Sequence, residues 1–194
     1  VYDLLKEKAE MGIYFVNYIM HEKQEIDENL RQYCIQKEEK EKYDNYLSCF
    51  VEDGKFENCL SEAQIDRGRL TACISATDQE YNISSQYNDQ NTWLNGSYPR
   101  FDVHKALNEE YGVGGSPTII INDAVIVSNQ SSCPQANVEC VVIPNFTRSP
   151  ENFKEIICQG FSSPPQECLQ TLSNDIPSSG LGLGTGSGNG RACQ

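Results

Sequence analysis

Apolar positions along the chain recur at distinct spacings, and each spacing predicts a different element. From Gly12 to Met20 the side chains are almost continuously apolar or aromatic, the pattern of an interior strand buried on both faces. From Gln24 to Val51 they recur at three- and four-residue steps. Ile26, Leu30, Cys34, Tyr43, Tyr46, Leu47 and Phe50 then form one stripe against a charged remainder, which predicts a helix. Asp53-Gly54 ends it. Phe56–Ala63 predicts a second, short helix with Phe56, Cys59, Leu60 and Ala63 inward. Asp66 stands as the N-cap of a third, running through Leu70, Cys73 and Ile74. Ahead of all these, Val1, Leu4, Leu5 and Ala9 keep helical spacing.

The stretch Ser75–Phe101 is rich in Asn, Gln, Ser and Tyr and reads as a long polar connection, with Tyr81, Trp93 and Tyr98 to pin it down. Val103–Tyr111 predicts a short helix running into a turn at Gly112, Gly114 and Gly115. After it, Thr118-Ile119-Ile120-Ile121 is β-branched throughout and predicts a core strand. Pro117 has no N–H to give a sheet, so it belongs at the strand's mouth, and the Ser116–Pro117 peptide is expected to be cis. Asn122-Asp123 joins this strand to Ala124–Val127 as a hairpin. Ser128–Thr147 reads as an inserted loop. Ser149 as N-cap, Pro150 at the first helical position and Glu151 in the first turn start a last helix, with Phe153, Ile156, Ile157 and Phe161 on its buried side. From Ser173 to Gln194 glycine and serine take over, too little apolar surface to offset ordering entropy, so residues 173–194 read as a disordered or extended tail or linker.

Charge narrows the classes. With 28 acidic against 15 basic residues and a net charge of −13, the chain is a poor match for nucleic acid, whose affinity derives from Lys and Arg neutralising phosphates. An anionic membrane surface is disfavoured on the same ground. No apolar run approaches the ~18 residues of a membrane span, so direct insertion is not expected. His21 and His104 are the only histidines and belong to no Cys or carboxylate constellation, so neither a metal site nor a cofactor is expected.

Nine cysteines without zinc-like Cys-x2-Cys spacing favour disulfides and an extracellular or secretory address. Asn-x-Ser/Thr sequons at Asn82, Asn95, Asn129 and Asn145, all in polar stretches, agree with that address and with N-glycosylation. The helical reading pairs Cys49 with Cys59 across the Asp53-Gly54 turn and Cys34 with Cys73 across the outer helices. It also pairs Cys158 with Cys168 past the last helix, and Cys133 with Cys140 closing the inserted loop. Sequence alone does not establish connectivity. Cys193 is left over, unpaired or intermolecular.

Four segments together resemble one family. Glu110-Tyr-Gly-Val-Gly-Gly-Ser-Pro-Thr-Ile-Ile-Ile-Asn-Asp123 resembles the cis-proline loop of the thioredoxin fold. Tyr14–His21 with Glu25–Lys37 resembles the second strand and first inserted helix of its DsbA-like branch. Arg148–Cys158 with Pro164–Cys168 is similar to that branch's final helix and tail. Cys59-Leu60, Ile65-Asp66 and Cys73 resemble the end of the insert, and the central domain of plant vacuolar sorting receptors carries a similar pattern. The likeness spans roughly residues 10–172.

The resemblance implies an α/β, thioredoxin-like (DsbA-type) sheet formed by residues 1–23 and 101–172. A disulfide-bonded helical insertion with its polar connection would occupy residues 24–100. It further implies that Gly115, Ser116, Pro117 and Thr118 present backbone to a passing peptide. The family's Cys-x-x-Cys motif precedes the second strand, and Val1–Met11 is too short to hold a first strand and that motif. The expected function is therefore a secreted, non-catalytic binding or assembly module of a larger extracellular protein or polymer. Its partner would be a protein or peptide, with self-assembly or disulfide linkage through Cys193 as a further route. The alternative is an extracytoplasmic thiol-disulfide oxidoreductase whose cysteine motif lies upstream of Val1.

Overall fold

The computed structural model describes residues 1–176; the glycine-rich stretch that follows, with Cys193, lies outside the described residues. The chain is mixed α/β. Its helices are α1 (Tyr2–Leu5), α2 (Glu22–Glu38), α3 (Lys40–Asp53), α4 (Phe56–Glu62), α5 (Arg67–Tyr81), α6 (Ile83–Asn88), α7 (Lys105–Glu110) and α8 (Pro150–Gln159). Its strands are β1 (Ile119–Ile121), β2 (Ala124–Val127) and β3 (Glu139–Val142). The described residues gather into two compact units: residues 17–105, which are helical, and residues 1–16 with 106–176, which hold the sheet. These boundaries differ by a few residues from the 23/24 and 100/101 divisions expected from the sequence.

In the helical unit, the apolar stripe expected on one helix is carried by two. The break is at Glu39, whose backbone (φ −145°, ψ 52°) is outside the helical region. Its carboxylate is buried, accepts the Asp66 N–H at 2.8 Å and pairs with Lys42, whose ammonium donates to the Gln64 carbonyl at 2.7 Å. Asp66 in turn caps α5, accepting the Gly68 and Arg69 N–H groups at 2.9 and 3.0 Å. A glutamate that periodicity assigns to solvent thus ends α2 and ties the break to the start of α5.

Tyr46, Cys34 and Cys59 are fully buried, with Ile35, Tyr43, Leu60 and Leu70 packed around them. Burying each such large apolar side chain contributes about 1.5–3 kcal/mol before entropy is counted. Cys34–Cys73 joins α2 to α5, and Cys49–Cys59 joins α3 to α4. A polar network lies inside this packing. Tyr46 and Gln32 donate to the Glu28 carboxylate at 2.9 and 2.8 Å, and Tyr43 donates to Gln32 at 2.9 Å. Arg31 pairs with Glu28 while lying 3.7 Å over the Phe56 ring. Burial pushes the Glu28 carboxyl above its usual range despite Arg31.

The first half of the stretch read as a polar connection is helix: α5 runs on to Tyr81, Asn82 turns in the left-handed region (φ 53°), and α6 follows. One buried side chain per turn or two is enough here. Thr77 is buried with its hydroxyl 3.8 Å from both Cys34 and Cys73 sulfurs, and Ile83 is buried too. Trp93 then donates its indole N–H to the Gln86 and Tyr87 carbonyls at 3.1 and 3.2 Å.

The segment Gly12–Met20 does not form the interior strand expected of it. Ile13, Tyr14 and Met20 are 41%, 62% and 60% exposed, and no ladder forms along the run. Its first part lies with the sheet unit, where the Phe15 carbonyl accepts the Asn108 amide at 2.9 Å. Its last part belongs to the helical unit, where Ile19 donates to Pro99 at 2.9 Å and Phe101 to Asn17 at 3.1 Å around a single Tyr18–Arg100 bridge. An apolar run becomes a buried strand only when other strands flank it, and none does among the described residues.

The sheet has the order β1-β2-β3, with β1 and β2 antiparallel and β2 and β3 parallel. Asn122 and Asp123 take positive φ (48° and 63°), the conformation that a tight hairpin matching the strand twist requires. β2 is the central strand and holds buried Ala124, Val125 and Ile126; β1 is an edge strand and only partly buried, not the core strand expected. β3 lies within the stretch read as an inserted loop. Its four residues alternate exposed and half-buried, too short a signal to read, and it gains its place by pairing Val125 with Cys140 and Val127 with Val142. α8 starts as expected, Ser149 accepting the Asn152 N–H at 3.3 Å. Its buried positions are Ile156, Cys158 and also Lys154, which pairs with Glu151 at 2.6 Å and donates to the Gln170 carbonyl; Phe153, Ile157 and Phe161 are only half-buried.

Candidate functional site

At the open end of the β1–β2 hairpin, within the sheet unit, lies a cleft of about 430 Å³. One wall is the loop after α7, with Gly114, Gly115, Pro117 and Thr118. The floor is Ile119 and the end of β2. The other wall is Ser132 and Pro134 from the disulfide loop, then Phe146 and Arg148 ahead of α8.

Each wall is held by local chemistry. The Ser116–Pro117 peptide is cis, and Thr118 closes the loop by donating its hydroxyl to the Gly115 carbonyl at 2.6 Å. Ser116, Pro117 and Thr118 are exposed. Gly112 turns with φ 60° directly beneath Pro134 and Ala136, so the α7 loop and the disulfide loop meet there backbone against ring. Cys133–Cys140 closes the disulfide loop onto β3. Behind the cleft, the Tyr111 hydroxyl donates to Asp123 at 2.8 Å, tying the end of α7 to the hairpin tip. That carboxylate accepts a hydrogen bond that only the neutral phenol can donate, and its charge would repel a phenolate, so the Tyr111 hydroxyl is held above its ordinary pKa. At the far side, Asn122 donates to the Gly160 carbonyl at 3.3 Å, and Cys158–Cys168 fastens α8 to its following turn.

Electrostatically the cleft is unlike the chain as a whole. Among the described residues Arg148 is the only charged one that lines it, in a protein of net charge −13. Arg148 is exposed. Lys42, Arg67, Arg69 and Lys154, by contrast, are each in an ion pair within the protein.

Of the residues singled out in the sequence, Gly115, Pro117 and Thr118 are brought together on the cleft, and Ser116 lies in the same loop beside it. The cysteines join as Cys34–Cys73, Cys49–Cys59, Cys133–Cys140 and Cys158–Cys168. Asn82, Asn95, Asn129 and Asn145 are all exposed, and Asn129 and Asn145 lie close in sequence to cleft residues Ser128 and Phe146. His104 packs edge-on against Tyr33 with ring centres 5.5 Å apart, and burial holds its imidazole below the usual pKa. Among the described residues no group of three or more His, Cys, Asp or Glu is arranged to hold a metal ion, and no helix is long and apolar enough to cross a membrane. Sequence reasoning passed over Ser132, Pro134, Phe146 and Arg148, which are 14 to 30 residues from Thr118 and reach the cleft only through the β2–β3 pairing.

No protein-family model, curated protein or solved structure matches this chain.

Proposed function

We propose that this chain is a non-catalytic, disulfide-stabilised binding module of a secreted, N-glycosylated protein, built on a DsbA-like thioredoxin scaffold. Its cleft beside Ser116–Pro117 takes an extended peptide segment of a partner protein. The observation that carries the reading is the exposed Ser116–Pro117–Thr118 loop, which lines an open cleft at the mouth of an edge strand. An edge strand leaves one row of backbone groups for an added strand, and a pocket at its mouth selects side chains. The scaffold assignment is supported by the order helix, glycine turn, Ser-Pro, hairpin, third strand and helix over residues 105–159, and by the cysteine-bearing helical unit. The sheet is smaller than the family resemblance implies, so the order of elements, not strand number, supports it.

The non-catalytic half rests on sulfur chemistry. Thiol exchange needs a thiolate, and among the described residues every cysteine is in a disulfide.

Two measurements test the proposal. Random-peptide display against the whole chain, followed by amide chemical-shift mapping of selected peptides, is expected to move Gly114–Ile119 and Ser132–Arg148. Shifts confined to residues 17–105, or no selected peptides, would overturn it. Insulin incubated with the chain and a dithiol is expected to precipitate no faster than with the dithiol alone; turnover would establish an oxidoreductase instead.

A further inference from the structure

We infer that the cleft selects an acidic residue: the bound segment places an Asp or Glu side chain, flanked by aliphatic residues, against Arg148. This rests on the peptide-docking reading and adds the chemistry of the ligand. Every other described residue that lines it is neutral, Pro117, Ile119, Pro134 and Phe146 among them, so one cation shares the cleft with a surface that suits apolar neighbours. Among the described residues no carboxylate lines the cleft to answer it. Most other described Lys and Arg side chains have partners within the protein, among them Lys8, Lys42, Arg67, Arg69 and Lys154, whereas Arg148 is exposed on the cleft. A planar guanidinium in that position can take a carboxylate in two parallel hydrogen bonds, a geometry that a lysine does not reproduce. The surrounding charge sharpens the choice. A chain of net charge −13 repels acidic segments elsewhere on its surface, so an acidic peptide that binds does so where a cation is available.

The probe is a fluorescent, acetylated and amidated decapeptide of alternating Val and Thr with one central Glu, titrated by anisotropy against the whole chain. Its partner peptide carries Gln at the centre. The Glu peptide is expected to bind about tenfold more tightly than the Gln peptide at low salt. Arg148→Gln should erase that difference, Arg148→Lys should restore only part of it, and Arg148→Glu should prefer a central Lys. Arg148 is exposed, so all three variants should keep the wild-type circular dichroism and melting temperature. Equal binding of Glu and Gln peptides with cleft shifts retained would overturn the acidic assignment and leave peptide docking standing. Binding by neither would overturn both. A peptide with a free C-terminus that gains the tenfold while the Glu–Gln pair does not would assign Arg148 to a terminal carboxylate and overturn the side-chain assignment.

Discussion

Gly112 lies directly beneath Pro134: a Cβ built on the glycine would stand 2.7 Å from the proline's Cβ and 3.0 Å from that of Ala136. The contact sets the separation of the two walls of the cleft, because one residue belongs to the α7 loop and the other to the disulfide loop. Gly112 also holds φ 60°, which an L side chain adopts at a cost. Gly112→Ala is therefore expected to destabilise the sheet unit by about 2–4 kcal/mol, strain and overpacking together. Urea unfolding followed by near-ultraviolet circular dichroism checks it. A loss below about 0.5 kcal/mol would mean that the walls do not meet there.

Glu39 makes part of the acid stability of the helical unit depend on its carboxylate. Burial raises its pKa, while the bonds from Lys42 and the Asp66 N–H and the charges of Lys42 and Arg69 lower it further, and the result lies below the ordinary 4.5. A carboxyl whose folded pKa is depressed contributes stability that is present above its unfolded pKa and lost as pH falls through the folded one. Glu39→Gln should cost about 1–3 kcal/mol at pH 7 and flatten the decline in stability below about pH 4.5. Calorimetric melts of wild type and variant from pH 7 to 2.5 should converge as the pH falls. Parallel curves would remove Glu39 from that role.

The two disulfides of the helical unit close loops of unequal length, with sequence separations of 39 for Cys34–Cys73 and 10 for Cys49–Cys59. On the chain-entropy account they stabilise by about 4 and about 3 kcal/mol respectively. Cys34→Ala with Cys73→Ala should lower the denaturant midpoint more than Cys49→Ala with Cys59→Ala. The reverse order would show that packing around the bridges, not loop closure, governs their contribution.

All four sequon asparagines are exposed, and Asn82, Asn95 and Asn145 take positive φ, as asparagine does more readily than most residues. Expressed in a eukaryotic secretory host, the protein should lose mass on enzymatic removal of N-glycans. Ser97→Ala, Ser131→Ala and Thr147→Ala should each delete one glycan while leaving the turn asparagine in place. Unmodified asparagine at every sequon by peptide mass mapping would count against the secretory reading.

Local spacing settled much of this protein. The helix stripes of Ile26–Phe50, the Asp66 and Ser149 caps, the Asn122-Asp123 hairpin and the strand mouth at Pro117 each depend on neighbours within a few residues, which is the range over which periodicity and turn chemistry act. Long-range contact decided the rest. Glu39 reads as a solvent residue until Lys42 and the Asp66 N–H surround it, Gly12–Met20 reads as a core strand until no strand flanks it, and Glu139–Val142 becomes a strand only because β2 offers an edge. Arg148 comes to line the same cleft as Pro117 for the same reason: register between strands, which carries no local signature, brings residues far apart in the chain to one surface.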